Sequence, residues 1–318
     1  MAGMEIQEFA DGHLDDAARL LAARHKAHRR LEPLLPPGYE DPVFARQEVE
    51  ALWRADETPG AVGIRGGRVV GYLVGIRKSD DVWGPNVWVD PAGHAVEHPE
   101  DVRDLYAAAA ARWVGAGLSA HYAVVPATDP ELVDSWFRLG FGQQHAFAIR
   151  ELPDERWPDG VREADIADVE ELMQLAPLLA QHQLLAPVFS RLPPDEDEDA
   201  LRKDIEEDIA SPTSGCLVAE HGDRIVGIFL VVPLEVSSMH TGLARPEVVS
   251  YLGWAATLPE VRGTGTGLTL TRASFAWARE RGYEAMVTDW RVTNLLASRF
   301  WPRRGFRPTF LRLFRAIP

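Results

Sequence analysis

The chain of 318 residues is 46% hydrophobic, 9% aromatic and 25% charged, the make-up of an ordinary folded protein of about two domains and not of a disordered one. Its one cysteine, Cys216, excludes an intrachain disulfide framework and fits a reducing cytoplasm. A net charge of −15 repels polyanions, so nucleic acid and anionic membranes are disfavoured as partners and basic or cationic ones are favoured. The N-terminal stretch MAGMEIQEFADGHLDD has neither the basic nor the apolar region of a signal peptide. The longest strongly apolar run, Ile225 to Pro233, is far too short to span a bilayer, so a cytoplasmic protein is expected.

The first half is best read through its likeness to the second. Glu8 and Glu163 each precede a helical stretch, and His25 has a counterpart in His182. Leu35-Pro36-Pro37 returns as Leu192-Pro193-Pro194, and Gly66-Gly67-Arg68-Val69-Val70-Gly71 as Gly222-Asp223-Arg224-Ile225-Val226-Gly227. Trp136-Phe137-Arg138-Leu139-Gly140-Phe141 returns as Trp301-Pro302-Arg303-Arg304-Gly305-Phe306. Five matches in one order, roughly 155–165 residues apart, indicate a duplicated globular unit, since solenoid repeats are far shorter. The linker is expected near Glu151 to Gly160, dividing the chain into domains 1–152 and 153–318.

Each half reads as mixed α and β. In the second half, apolar spacing predicts a helix from Asp165 to Leu179 and another from Leu201 to Ile209. Strands are expected over Gly215 to Ala219 and Ile225 to Val232, joined at His221-Gly222-Asp223, and again over Glu247 to Thr257. Leu268 to Arg281 reads as a helix ended by Gly282, and Ala285 to Trp290 as a strand. Thr293 to Arg304 reads as a helix with Thr293 or Asn294 as N-cap, before a last strand from Thr309 to Ala316.

The informative segment is Arg262-Gly263-Thr264-Gly265-Thr266-Gly267-Leu268, which follows a strand and opens a helix. Three glycines let successive N–H groups turn toward one anion, the helix N-terminus adds partial positive charge, and Arg262 adds a full one. Leu268-Thr269 stands where a P-loop needs lysine and serine or threonine, which excludes that motif. A dinucleotide-binding oxidoreductase would need several more strand–helix units than the remaining chain can supply.

The pattern Arg262-x-x-Gly265-x-Gly267 resembles the acyl-CoA pyrophosphate signature of the GNAT acetyltransferases, and Asn294 through Phe306 resembles that family's second signature. The resemblance covers residues 161–316 and, through the repeat, extends more weakly to 4–150. It implies an α/β (α+β) protein of two tandem GNAT folds, each a mixed, mostly antiparallel sheet flanked by helices. It implies acetyl-CoA as co-substrate with no metal, and direct acetyl transfer to a small-molecule or peptide amine. By the same resemblance, Ala255, Ala256, Thr257 and Leu258 would hold the pantetheine arm, and Gly263 to Leu268 the pyrophosphate. Asn294 would touch the pantetheine region or cap its helix. Trp301 stands where many members carry the tyrosine that protonates the leaving thiolate, and indole is a very poor acid. Tyr251, Tyr283 or water must then serve. The nearest candidate bases are Glu247 and Asp289; His240 and His182 are weaker ones.

Aligning Trp113 with Trp277 sets His98-Pro99-Glu100-Asp101-Val102-Arg103 opposite the glycine loop. No glycine remains there and two carboxylates do, so the first domain is expected not to bind CoA in the same way. The acidic run Asp195 to Asp199, followed by Asp204, Glu206, Glu207 and Asp208, reads as a solvated face or as an attractor of cationic acceptors. A non-catalytic acyl-CoA-binding protein is the alternative to an enzyme.

Overall fold

The computed structural model describes residues 3–56, 58–190 and 197–318. Of the sequence features above, Leu192-Pro193-Pro194, Asp195 and Glu196 lie outside them. The chain divides into two compact units. Unit 1 comprises residues 1–147, 241–247 and 308–318, and unit 2 comprises 148–240 and 248–307.

The elements up to residue 151 are β1 (Glu5–Glu8), α1 (Leu14–Leu31), α2 (Pro42–Ala55), β2 (Ala61–Arg65), β3 (Arg68–Leu73), α3 (Asp80–Trp83), β4 (Asn86–Val89), β5 (His94–Val96), α4 (Asp101–Gly115), β6 (Ala120–Pro126), α5 (Pro130–Phe137) and β7 (Gly142–Glu151). There follow β8 (Val161–Glu163), α6 (Val169–Leu175), α7 (Pro177–Leu184), α8 (Glu198–Ala210), β9 (Gly215–His221), β10 (Arg224–Pro233), β11 (Val249–Thr257), α9 (Thr266–Glu280), β12 (Ala285–Arg291), α10 (Leu295–Phe300) and β13 (Arg307–Ala316).

In unit 1, β1, β2, β3 and β5 form an antiparallel sheet in that order. Strand β4 pairs in parallel with β6, from Asn86 opposite Ala120 to Val89 opposite Ala123. Residues 310–316 of β13 pair antiparallel with β6. Helix α1 buries Leu14, Ala17, Ala18 and Leu21, and α4 buries Val102, Leu105, Ala109 and Trp113, the spacing of one apolar helix face.

In unit 2, β8, β9, β10 and β11 are antiparallel neighbours, and β11 pairs in parallel with β12. Helix α9 turns Leu270, Ala273, Ser274 and Trp277 inward. Trp277 lies flat enough on β9 that a Cβ at Gly215 would sit 2.4 Å from its ring, so that position requires glycine. The chain is thus α/β with mixed, mostly antiparallel sheets flanked by helices, as expected. Among the described residues no helix is long and apolar enough to cross a membrane.

Several boundaries differ from the sequence reading for local reasons. The helix expected over 165–179 is two, α6 and α7, because Pro177 has no N–H to continue the ladder. Helix α8 starts earlier than expected, at Glu198, because Asp197 accepts from Asp199 N at 3.1 Å and so caps it. The helix expected over 293–304 stops at Phe300, and Pro302 opens a separate 3-10 turn. Strand β11 begins at Val249, after Val248 takes a positive φ of 53°.

Candidate functional site

Strand β11 leads through a short 3-10 turn, Pro259–Val261, into the glycine loop. Gly263 and Gly265 have φ of 84° and 106°, a region side-chain-bearing residues avoid, although a Cβ at either would meet nothing within 4 Å. Backbone conformation, not space, demands these two glycines. The Thr264 hydroxyl donates to Val261 O at 2.8 Å and lies 3.1 Å from the Thr266 hydroxyl, which fixes the turn. Gly265 is the N-cap of α9 and brings no side chain to cap it. Among the described residues, the N–H groups of Gly263, Gly265, Thr266, Gly267 and Leu268 donate to no protein acceptor. Arg262 beside them is exposed, and among the described residues it has no ion pair. Five open donors at the positive end of a 15-residue helix, with a free guanidinium, can receive a polyanionic group.

The strand before the loop is half unpaired. Strands β11 and β12 pair only from Val249–Ala285 to Leu252–Thr288, and the Thr288 hydroxyl closes the last rung on Leu252 O at 3.0 Å. Beyond it β11 continues with β10 alone, Trp254 to Thr257 facing Leu230 to Gly227. The register shifts at Leu230/Val231, so Gly253 is opposite no residue on β10 and none on β12. The edge formed by Gly253, Trp254, Ala255, Ala256 and Thr257 therefore offers peptide groups to an extended ligand. Leu258 returns to the sheet, its N–H donating to Val226 O at 2.9 Å.

Tyr251 and Asp289 flank this split. Tyr251 lies one rung before it on β11, Asp289 one residue past it on β12, and the phenol donates to Asp289 Oδ1 at 2.7 Å. Burial, and next the Asp289 charge, push the Tyr251 phenol well above the ordinary tyrosine range. Tyr251 also hydrogen-bonds Ser237, whose Oγ lies 2.9 Å from Nδ1 of His240. The imidazole sits beside the phenol, ring centroids 5.2 Å apart. Sequence reasoning missed Ser237 and undervalued His240; the signal was a mid-strand tyrosine, whose buried hydroxyl needs partners.

The other expected site residues fall elsewhere. Glu247 is exposed, in the 241–247 segment that groups with unit 1. Tyr283 precedes β12, at the end of the paired rungs away from the split, with its phenol raised by burial. Asn294 caps α10: its Oδ1 accepts from Leu296 N at 3.1 Å, Ala297 N at 3.2 Å and His182 Nε2 at 3.2 Å. Trp301 is buried among Phe300, Phe306 and Phe229, with centroids 4.8, 5.5 and 5.9 Å away. Asp204, Glu206 and Glu207 are exposed on α8 and Asp208 is half-buried, so they form a largely solvated helix face.

The corresponding place in unit 1 is built differently. At the start of α4, the N–H groups of Asp101, Val102 and Arg103 donate to the carbonyls of His98, Pro99 and Glu100 at 2.9, 3.3 and 3.1 Å. The Asp101 carboxylate accepts from both Arg65 guanidinium nitrogens, at 2.7 and 3.2 Å. Arg24 donates to the carbonyls of Pro91 and His94, the segment where β4 gives way to β5. His94 Nε2 lies 3.3 Å from Val124 O, bridging β5 to β6.

Residues 179–306 match the family model described as acetyltransferase (GNAT) family. A GCN5-related N-acetyltransferase from Sphaerobacter thermophilus has a similar structure, with TM-score 0.58 and 13% identity over 99% of this chain and 97% of that one. The glucosamine N-acetyltransferase region of a fungal multi-domain β-N-acetylglucosaminidase superposes with TM-score 0.52 and 16% identity, over 99% of this chain and 38% of that one. A tandem GNAT protein of the clavulanic acid pathway gives 0.48 at 15% identity, over 99% and 98%. Identities this low establish the fold alone. No curated protein matches the sequence at a significant level.

Proposed function

Starting from residues 179–306 as a GNAT acetyltransferase domain, we propose that unit 2 transfers the acetyl group of acetyl-CoA directly to a primary amine, and that unit 1 binds no CoA. The observation that carries this reading is the open N-terminus of α9 standing directly after an unpaired strand edge. The N–H groups of Gly263 and of Gly265 through Leu268, with Arg262, receive the pyrophosphate; the edge from Gly253 to Thr257 receives the pantetheine arm. In unit 1 the equivalent donors are used internally, and Arg24 and His94 occupy the strand edge.

The residues also supply the chemistry. An alkylamine arrives as an ammonium ion with a pKa of about 10 and must lose a proton to attack. Asp289, one residue beyond the last rung, is the carboxylate that takes it. Gly253, with no strand partner, offers backbone to polarise the acyl carbonyl. Tyr251 holds Asp289 in place, and its raised pKa makes it a poor acid. Trp301 is packed among aromatic rings and supplies no proton, so the leaving sulfur takes its proton from the attacking nitrogen.

Release of free thiol from acetyl-CoA across a panel of primary amines tests the reading. Amine-dependent release of one thiol per acetylated product is expected. Saturable acetyl-CoA binding with no product from any amine would favour the acyl-CoA-binding alternative, which the burial of Trp301 supports.

A further inference from the structure

Five large apolar side chains of unit 2 stand in solvent near the end of β12: Leu184 at the end of α7, Leu185 as its C-cap, Phe189 in the turn that follows, and Leu295 and Leu296 at the start of α10. Phe189 is 73% exposed and Leu185 63%. Exposed apolar residues scattered singly are ordinary; several gathered in one place mark a binding surface.

Hydrogen bonds gather these five. His182 Nε2 lies 3.2 Å from Asn294 Oδ1, and Arg291 Nε donates to Gln183 Oε1 at 3.1 Å. The two contacts tie the end of α7 to the turn between β12 and α10, with Leu184 and Leu185 directly after one set of partners and Leu295 and Leu296 directly after Asn294. Phe189 N donates to Leu185 O at 3.1 Å and Ser190 N to Gln183 O at 2.8 Å, which folds the turn back onto the helix end. Phe189 holds a φ of 47°, a costly conformation for an aromatic residue, and its ring is left in water.

The patch borders the proposed base. Side chains alternate along a strand, so Asp289 and Arg291 point to one face of β12, and Gln183 meets Arg291 on it. Helix α7 therefore lies on the Asp289 face, and it packs against β11 as well. Residues 183–190 and 292–298 contain no charged side chain. A surface of this kind gives a ligand nothing for a second cationic group; it rewards apolar area removed from water.

We propose that this patch is the acceptor subsite, and that the acceptor is an amine with one ammonium group and an uncharged apolar remainder, an alkyl chain or an aromatic ring. This rests on the acyl-transfer reading of the same site. The ammonium faces Asp289 and the remainder lies over Leu185, Phe189 and Leu296. Continuity with the reacting centre assigns the patch to the acceptor and not to a second protein. Polyamines and aminosugars are poor acceptors, because the carboxylates that would attract them lie on the solvated face of α8.

The test applies two readouts to the full chain. Across the primary n-alkylamines from propyl to hexyl, kcat/KM for acetyl transfer is expected to rise about two- to fourfold per methylene. 2-Phenylethylamine is expected to exceed spermidine and glucosamine by at least about 10-fold. In a chain carrying both Leu185→Ser and Phe189→Ser, the rise is expected to fall below about 1.5-fold per methylene. Both side chains are exposed, so the melting temperature of that variant should match the wild type. The second readout needs no turnover. With 13C-methyl leucine, the signals of Leu185 and Leu296 are assigned by their loss in Leu185→Met and Leu296→Met. Hexylamine is expected to shift both saturably, and methylamine at the same concentration neither. A flat alkyl series, a rise that survives in the folded double variant, or a preference for spermidine over hexylamine each overturns the proposal. So does a dimer in sedimentation that the double variant dissociates, since the patch would then belong to a second copy of the chain. A wild type that acetylates no amine would sink the acetyltransferase reading instead; the methyl shifts then decide the subsite, supporting it if hexylamine produces them and overturning it if not.

Discussion

The N-terminus of α4 is closed by its own protein, and that of α9 is open. Helix α4 follows β5, which pairs antiparallel with β3, and α9 follows β11, which pairs in parallel with β12; both helices carry a buried tryptophan in their later turns, Trp113 and Trp277. At α4 the first donors bond to His98, Pro99 and Glu100, and Asp101 with Arg65 supplies an anion and its counter-ion from within. At α9 two positive-φ glycines turn the donors outward, and Arg262 stands unpaired among the described residues. The strand edges follow the same division: Arg24 and His94 fill one, and Gly253 to Thr257 leave the other vacant. One architecture thus serves as scaffold or as receptor according to whether a helix start and a strand edge meet their hydrogen-bonding needs internally.

Chemistry at the open site should break first. Asp289→Asn keeps the shape of the side chain and removes the base; kcat should fall about 10²–10⁴-fold while KM for acetyl-CoA stays within twofold. A variant as fast as the wild type would exclude Asp289 as the base.

Two arginines separate the open helix start from the closed one. Arg262→Ala should weaken acetyl-CoA binding about 10-fold and leave the melting temperature unchanged, since its charge serves only the ligand. Arg65→Ala should do the reverse, lowering the melting temperature by stranding the nearly buried Asp101 carboxylate while the affinity holds. Calorimetric titration and thermal melts of both variants give the four numbers, and an effect of Arg65→Ala on affinity would contradict the division.

Acid should also distinguish the units. Burial lowers His25 to about 4, and His28 and His94 to about 3, so all three are neutral in folded unit 1. The unfolded chain binds protons at these sites near pH 6.5, where the folded one does not. Their contribution to stability is complete above about pH 6.5 and is lost as pH falls from there toward about 3. Amide hydrogen exchange at pH 7 and pH 5 should show α1 and β5 losing protection before α9 and β12. Earlier loss in unit 2 would assign the acid-labile groups elsewhere.

The smallest effect is expected at Trp301. Restoring a phenol with Trp301→Tyr should change kcat less than about threefold, because the ring is packed against Phe300 and Phe306 and not placed at the split. A larger gain would show that this position reaches the leaving sulfur.

The glycine loop and the helix it opens were legible because local chemistry specifies them: three glycines, a flanking strand and an apolar helical spacing agree over one short stretch. The α/β order was legible for the same reason. Side-chain partnerships between elements were not. Nothing near Tyr251 in the sequence shows that a turn many residues earlier brings Ser237 and His240 to it, or that Arg24 on α1 reaches the carbonyls of Pro91 and His94. Proline placed the helix ends wrongly read from spacing alone, at Pro177 and Pro302, because apolar periodicity runs through a residue that breaks the hydrogen-bond ladder. Asn294 left two readings open in the sequence; the bonds it accepts from Leu296 N and Ala297 N show it as the cap of α10.

The most direct test of the open helix start is calorimetric titration of acetyl-CoA into the intact protein and into Gly265→Glu. That substitution places a side chain at a φ of 106° and a negative charge where the pyrophosphate is expected. One site per chain, lost in a variant that remains folded, is the predicted result. Absence of binding to the intact protein would contradict the acyl-CoA assignment, and two sites per chain would contradict the closed reading of unit 1.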